Sequence, residues 1–120
     1  MIPPFIMGGD RVFLTDKVLP YFGIKRVRIS WDRSKKKWPD IWCYPDEIPP
    51  RIVVTKEWLK QTTDERRKRL VHEMGHVIGL EHGNLHGLRY STYPGRDFWS
   101  RAVYADIVVG SKKFDAWRFC

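Results

Sequence analysis

The stretch HEMGHVIGLEH, residues 72–82, holds three of the four histidines of this 120-residue chain. If these residues form a helix, His72 and His76 lie one turn apart and about 40° around its axis, so both imidazoles project from the same side. The apolar residues recur on roughly the opposite face of that helix: Leu70, Met74 and Ile78. The two histidines are therefore predicted to face a functional site rather than the core.

The spacing of these histidines suits a metal ion. Two imidazoles at positions i and i+4 can each reach one Zn²⁺ at about 2.0–2.1 Å. Gly79 tolerates a positive φ, so we expect the chain to turn sharply there and return His82 as a third ligand. Three histidine ligands leave the fourth tetrahedral position for water, as in catalytic zinc sites. Glu73 lies about 100° around from His72 and is predicted to be the general base for that water.

Capping signals predict the ends of two helices. Thr62 and Glu65 have the capping-box spacing, which places the start of the metal-binding helix at residue 62. Ser100 is predicted to cap a final helix over Arg101–Val109, and Gly110 to end it.

The first half of the chain predicts short strands between turns. Alternation of basic and apolar residues over 25–31 indicates a half-buried strand, with Val27, Ile29 and Trp31 facing inward. Three further segments are strand candidates: 11–14, 40–44 and 51–55. Residues 15–23 are expected to form a short helical turn interrupted by Pro20 and Gly23. The predicted fold is α+β, a small mixed β-sheet packed on the metal-binding helix with a C-terminal helix, in one domain spanning 1–120.

The net charge of +8, from 22 basic and 14 acidic residues, favours anionic partners as a secondary property. We expect no membrane partner, because no run approaches the roughly 18 apolar residues of a membrane span. The first residues have no signal-peptide pattern, so a cytoplasmic location is favoured. A monomeric state is also favoured. Cys43 and Cys120 are expected to be free thiols, with a bridge between them as the alternative.

The five fixed residues of the histidine stretch resemble the extended zinc motif of the metzincin metalloproteases: His72, Glu73, His76, Gly79 and His82. Residues 91–94, Ser-Thr-Tyr-Pro, are similar to the Met-turn of the matrixin-like members, with Thr92 in place of the methionine. Trp58 falls about where matrixins carry a tryptophan. The resemblance covers residues 58–110 and implies a zinc endopeptidase acting on protein or peptide substrates, with the sheet above the zinc helix.

Two other functions stay open. Thr92 is smaller and more polar than methionine, which favours a zinc-binding pseudoprotease that serves as a peptide-binding or protein-binding module. Basic runs at 35–37, 66–69 and 112–113 favour a nucleic-acid binder. Against the second possibility, Glu65 and Arg69 are expected to pair along the helix while Lys68 points to solvent. For the endopeptidase, either 40–44 or 51–55 is expected to align the substrate as an added strand.

Overall fold

The fold is known from a computed structural model that describes residues 8–34, 37–80 and 98–119. A helical segment, α1, passes through Gly9–Val12, a π-helical stretch at Phe13–Val18, and Leu19–Phe22. The strands β1, β2 and β3 follow; their bounds are Arg28–Asp32, Ile41–Tyr44 and Arg51–Thr55. The helices α2, α3 and α4 then span Lys56–Leu59, Thr63–Val77 and Phe98–Val108, and a 3₁₀ turn covers Ala116–Phe119. Helices beside a small sheet confirm the α+β class.

The three strands form one mixed sheet in the order β1-β3-β2. Strand β1 runs parallel to β3, with Trp31 opposite Val54, and β2 runs antiparallel to β3, with Cys43 opposite Ile52. The strand predicted at 25–31 is present from Arg28 onward. Because β3 is the central strand, the backbone of 51–55 is paired on both sides and cannot accept an added strand. Of the two segments expected to align a substrate, 40–44 and 51–55, only the first, which contains β2, lies at an edge.

The core lies between the sheet, α1, α3 and α4. Helix α3 packs against α4 and β2. The largest fully buried side chains of this core come from α1, β3, α2 and α3: Tyr21, Ile52, Trp58, Leu70 and Met74. Among the helices of the described residues, none combines the length and the apolar character needed to cross a membrane.

The prediction of a strand at 11–14 is wrong, because these residues belong to α1. Five of the six buried residues of this segment recur at helical spacing rather than at alternate positions: Asp10, Phe13, Leu14, Val18 and Tyr21; the sixth is Leu19. Pro20 does not interrupt the helix, because it occupies the first turn of Leu19–Phe22. Gly23 does end it, with φ at 69°.

The prediction that Ser100 caps the final helix is also wrong. Helix α4 begins at Phe98, and Ser100 is buried within its first turn. Trp99, Val103 and Ile107 recur every four residues and are buried together. The apolar face of the helix therefore already includes Trp99, which precedes Ser100. Gly110 ends this helix as predicted, with φ at 105°.

The basic run at 66–69 is paired with three carboxylates. Its four side chains form these ion pairs: Arg66 and Arg67 with Asp10, Lys68 with Asp64, and Arg69 with Asp40. The expected pairing of Arg69 with Glu65 is therefore wrong, and Lys68 is not directed into solvent. The run connects α3 to α1 and to the residue before β2, and it does not form the phosphate-binding surface that its composition favoured.

Candidate metal centre

Helix α3 begins and ends where its capping residues place it. The Thr62 hydroxyl accepts a hydrogen bond from the Glu65 backbone N–H at 3.2 Å. At the other end, Gly79 has φ at 99°, a conformation that a side chain would strain. The Gly79 N–H donates to the His76 carbonyl at 3.0 Å, and the Leu80 N–H donates to the Gly75 carbonyl at 2.9 Å. These two bonds form a Schellman motif, which satisfies the last carbonyls and fixes the direction of the chain after the helix.

The turn at Gly79 also fixes the side chain of His76. The Leu80 carbonyl lies 2.8 Å from Nδ1 of His76. Because a carbonyl only accepts hydrogen bonds, Nδ1 carries the proton, and in the neutral ring Nε2 keeps its lone pair. A backbone carbonyl is one of the usual outer partners for the second ring nitrogen of a metal-binding histidine.

The second ring nitrogen of His76 points at the other histidine. Nε2 of His76 lies 3.2 Å from Nε2 of His72. The 3.2 Å contact is a hydrogen bond between the two rings. Two Zn–N bonds of about 2.0–2.1 Å at a tetrahedral angle hold their nitrogens about 3.3–3.4 Å apart, so the same arrangement also suits two ligands of one zinc ion. Both rings are half-buried, whereas Leu70 and Met74 on the core side of the helix are fully buried. The predicted orientation of the pair away from the core is confirmed.

Glu73 completes a cluster with the two histidines. Ligand atoms of His72, Glu73 and His76 all lie within 4.8 Å of one another. Glu73 is only 6% exposed, and Cys43 on β2 approaches it, with Sγ 3.8 Å from its carbonyl oxygen. Burial, followed by the negative charge of Glu73, raises the pKa of the Cys43 thiol far above its ordinary value. Cys43 therefore stays protonated beside the carboxylate at neutral pH.

A close contact between helices holds the segment that carries the site. A Cβ atom added at Gly75 would lie 2.7 Å from Cζ3 of Trp99 on α4. Trp58, fully buried, donates from Nε1 to the Arg66 carbonyl of α3 at 3.2 Å. Both contacts fix α3 against its neighbours, so the histidine pair is carried by a rigid element rather than by a loop.

The structure brings together three of the four predicted site residues: His72, Glu73 and His76. His82 lies outside the described residues, as do Thr92 and Cys120; Cys43 is a free thiol. Two further groups lie at this centre. Every residue has a backbone carbonyl, so the sequence cannot single out that of Leu80. Only Gly79, which predicts the turn after the helix, points to this region.

The thiol of Cys43 is the second of these groups. It reaches α3 from a strand that is 30 residues away in the chain, and no local pattern links the two. Comparison with known proteins adds no further assignment: no protein-family model, curated protein or solved structure matches this chain. Inference about function therefore rests on the residues of this centre.

Proposed function

We propose that the protein is a zinc-dependent endopeptidase, in which His72, His76 and His82 hold the metal and Glu73 is the general base. The single observation that supports this most is the 3.2 Å separation of the two Nε2 atoms, with the lone pair of His76 directed by the Leu80 carbonyl. A pair of ring nitrogens at this separation suits a tetrahedral metal ion. Glu73, buried beside the pair, is a group that a site serving only to hold a metal does not require.

The roles of the side chains follow from their positions. Zinc, when bound, would supply a Lewis acid that acidifies water and polarises a peptide carbonyl. Glu73 accepts a proton from the attacking water and delivers it to the leaving amine. Its low exposure keeps competing solvent away from the carboxylate. The hydrogen bond from His76 to Leu80 holds the imidazole in the tautomer that binds a metal.

Strand β2 is the element we propose to align the substrate. It lies at an edge of the sheet and packs against α3. Its residue Cys43 faces Glu73 on that helix, so an extended peptide added along β2 would run beside the cluster. Backbone hydrogen bonds of an added strand hold a peptide with little regard for its side chains.

The metzincin-like architecture is part of this proposal. The small mixed sheet, α3 and α4 are compatible with it. The third zinc ligand, His82, and the turn with Thr92 are also part of the proposal. Because threonine leaves a gap where the family has a methionine, we expect a less rigid zinc site rather than loss of the metal. If Thr92 has removed activity altogether, the protein is the zinc-binding pseudoprotease that binds peptides without cutting them.

The proposal is tested by removing and restoring the metal. Chelator-treated protein is reloaded with one equivalent of zinc and incubated with a diverse peptide mixture, and cleavage is read by mass spectrometry. We expect cuts that depend on zinc and are lost in His76→Ala but kept in the control His86→Ala, which changes the histidine outside the motif. Tight zinc binding without any zinc-dependent cut would support the pseudoprotease instead.

A further inference from the structure

Strand β1 forms the second edge of the sheet. In the order β1-β3-β2, only β3 pairs with it among the described strands. The Arg28 N–H donates to the Pro50 carbonyl, just before β3, at 2.7 Å. Because alternate residues of a parallel strand bond to the same neighbour, the even-numbered residues of β1 bond to β3. The N–H and C=O groups of Ile29 and Trp31 therefore point outward, and they have no hydrogen-bond partner in the part of the chain that the structure describes.

This edge lacks the usual features that prevent pairing with another chain. Natural sheets protect an open edge with proline, with a β-bulge or with charged side chains such as lysine. Strand β1 has no proline, and its five residues pair with β3 in unbroken register. Its two charged residues, Arg28 and Asp32, have opposite signs and lie at opposite ends. Like charges would therefore meet in a parallel copy in register, and opposite charges in an antiparallel one.

An antiparallel copy of β1 complements β1 along its whole length. With Ser30 of the two copies facing each other across a two-fold axis, all five residues are paired and Arg28 lies opposite Asp32 of the copy at both ends. In the same register Ile29 lies opposite Trp31 of the copy, so the outward N–H and C=O groups meet as hydrogen-bonded pairs. A shift by two residues, which also preserves that alternation, would pair only three residues of each strand. The complete register is therefore the one that matches the charges.

Both charged residues can enter such a pair. Arg28 is exposed and makes no ion pair with the described residues of its own chain. Asp32 is half-buried, and its Oδ1 accepts a hydrogen bond from the Ser34 N–H at 2.9 Å. A carboxylate has about four lone-pair positions, so the bond from Ser34 does not prevent Asp32 from accepting a guanidinium. These end pairs lie at non-hydrogen-bonded positions, where opposing Cα atoms are about 4.5 Å apart and side chains come closest.

The other charges near this edge leave Arg28 without a close carboxylate of its own. Arg51, its neighbour on β3, donates two hydrogen bonds of 2.9 Å to Glu47. Further exposed charges lie beside β1 in the chain or in the β2–β3 loop: Lys25, Arg26, Arg33 and Asp46. Because this balance is basic and each copy carries a net charge of +8, long-range repulsion opposes association, and we expect a weak dimer.

We propose that β1 pairs with β1 of a second copy and joins the two sheets into one, with the strand order β2-β3-β1-β1-β3-β2. The pairing satisfies the outward backbone groups and brings half-buried Ile29 and Trp31 of the two copies together on the core side. Strand β2 stays at both ends of the joined sheet, so the edge proposed to align a substrate remains open. Association does not require the metal, and a dimer departs from the monomeric state that the sequence favours.

Sedimentation velocity of the full chain, from micromolar to millimolar concentration at about 150 mM salt, measures the dimer. Arg28→Asp sets like charges opposite each other at both ends and should raise the dissociation constant on the order of tenfold, and Asp32→Arg should do the same. Lys112→Asp and Asp115→Arg are the matched controls, because they make the same charge changes on exposed residues outside the sheet. Asp115 also resembles Asp32 in accepting a backbone N–H, from Trp117 at 3.0 Å. Both controls should dimerise as the wild type does.

A mixture of the two β1 variants tests the register directly. Arg28→Asp has two carboxylates on its edge and Asp32→Arg has two guanidiniums, so every facing pair in a heterodimer again has opposite charges. We expect the equimolar mixture to dimerise at least as tightly as the wild type, which misfolded variants would not do. A wild type that stays monomeric at millimolar concentration, controls that weaken the dimer equally, or a mixture that does not associate would each overturn the proposal. Oligomers that keep growing with concentration would contradict it too, because a dimer through β1 is closed.

Discussion

Replacing Gly79 with alanine tests whether the turn after α3 serves the metal as well as the fold. An added Cβ would meet nothing within 4 Å, so no steric clash is introduced. The cost comes from the backbone, because φ is 99° and an L-residue in a left-handed conformation loses about 1–2 kcal/mol. For a chain of 120 residues, this loss lowers Tm by about 4–8 °C.

The same substitution should also weaken zinc binding. Relief of the strain would move the Leu80 carbonyl away from Nδ1 of His76, a contact of 2.8 Å. Loss of such an outer partner lowers metal affinity by about 10–100-fold. We therefore expect Gly79→Ala to show both a lower Tm and weaker zinc binding, measured by thermal melts of the zinc-free protein and by competition with a chromophoric chelator.

Gly110 supplies the matched control. Its φ is 105°, and an added Cβ there would likewise have no neighbour within 4 Å. The Gly110 N–H donates to Ile107 and the Ser111 N–H donates to Asp106, each at 3.1 Å, which is the same Schellman pattern as at Gly79. Gly110→Ala should therefore lower Tm as much as Gly79→Ala while zinc affinity is unchanged. Equal zinc affinities in the two variants would refute the role assigned to the Leu80 carbonyl.

Three further predictions concern the contacts around the centre. Gly75→Ala should lower stability by about 1–3 kcal/mol, because its Cβ would lie 2.7 Å from the Trp99 ring; an unchanged thermal melt would contradict this packing. Burial raises the pKa of Asp40 above its usual 3.8 despite Arg69, so the folded protein keeps this proton to a higher pH than the unfolded chain. Wild-type stability relative to Asp40→Asn should therefore fall as pH rises above about 4, and a relative gain in paired melts would be inconsistent with it. Cys43, whose pKa burial also raises, should react with iodoacetamide at pH 8 far more slowly in the folded than in the unfolded protein, as followed by peptide mass spectrometry.

Local chemistry made part of this structure predictable from the sequence. The cap at Thr62, the helix ends at Gly79 and Gly110, and the parallel projection of His72 and His76 each depend on residues within one or two turns. The alternation before and within β1 predicted a strand for the same reason. These features are decided by backbone preferences that the surrounding fold does not reverse.

The errors arose where distant residues decide the outcome. Asp10 reaches Arg66 across 56 positions, so the ion pairing of the basic run cannot be read from the run itself. Residues 11–14 resemble a strand in isolation, yet packing against α3 selects a helix. Ser100 has the chemistry of a helix cap, but burial of Trp99 on Gly75 extends the helix past it.

The most direct test of the endopeptidase proposal is a measurement of zinc content and peptide cleavage on the same samples of wild-type and Glu73→Gln protein. Glutamine keeps the shape of the side chain but cannot accept the proton of an attacking water. We expect one zinc per chain in both proteins and cleavage only by the wild type. Cleavage by Glu73→Gln at the wild-type rate would contradict the general-base role and, with it, the proposed mechanism.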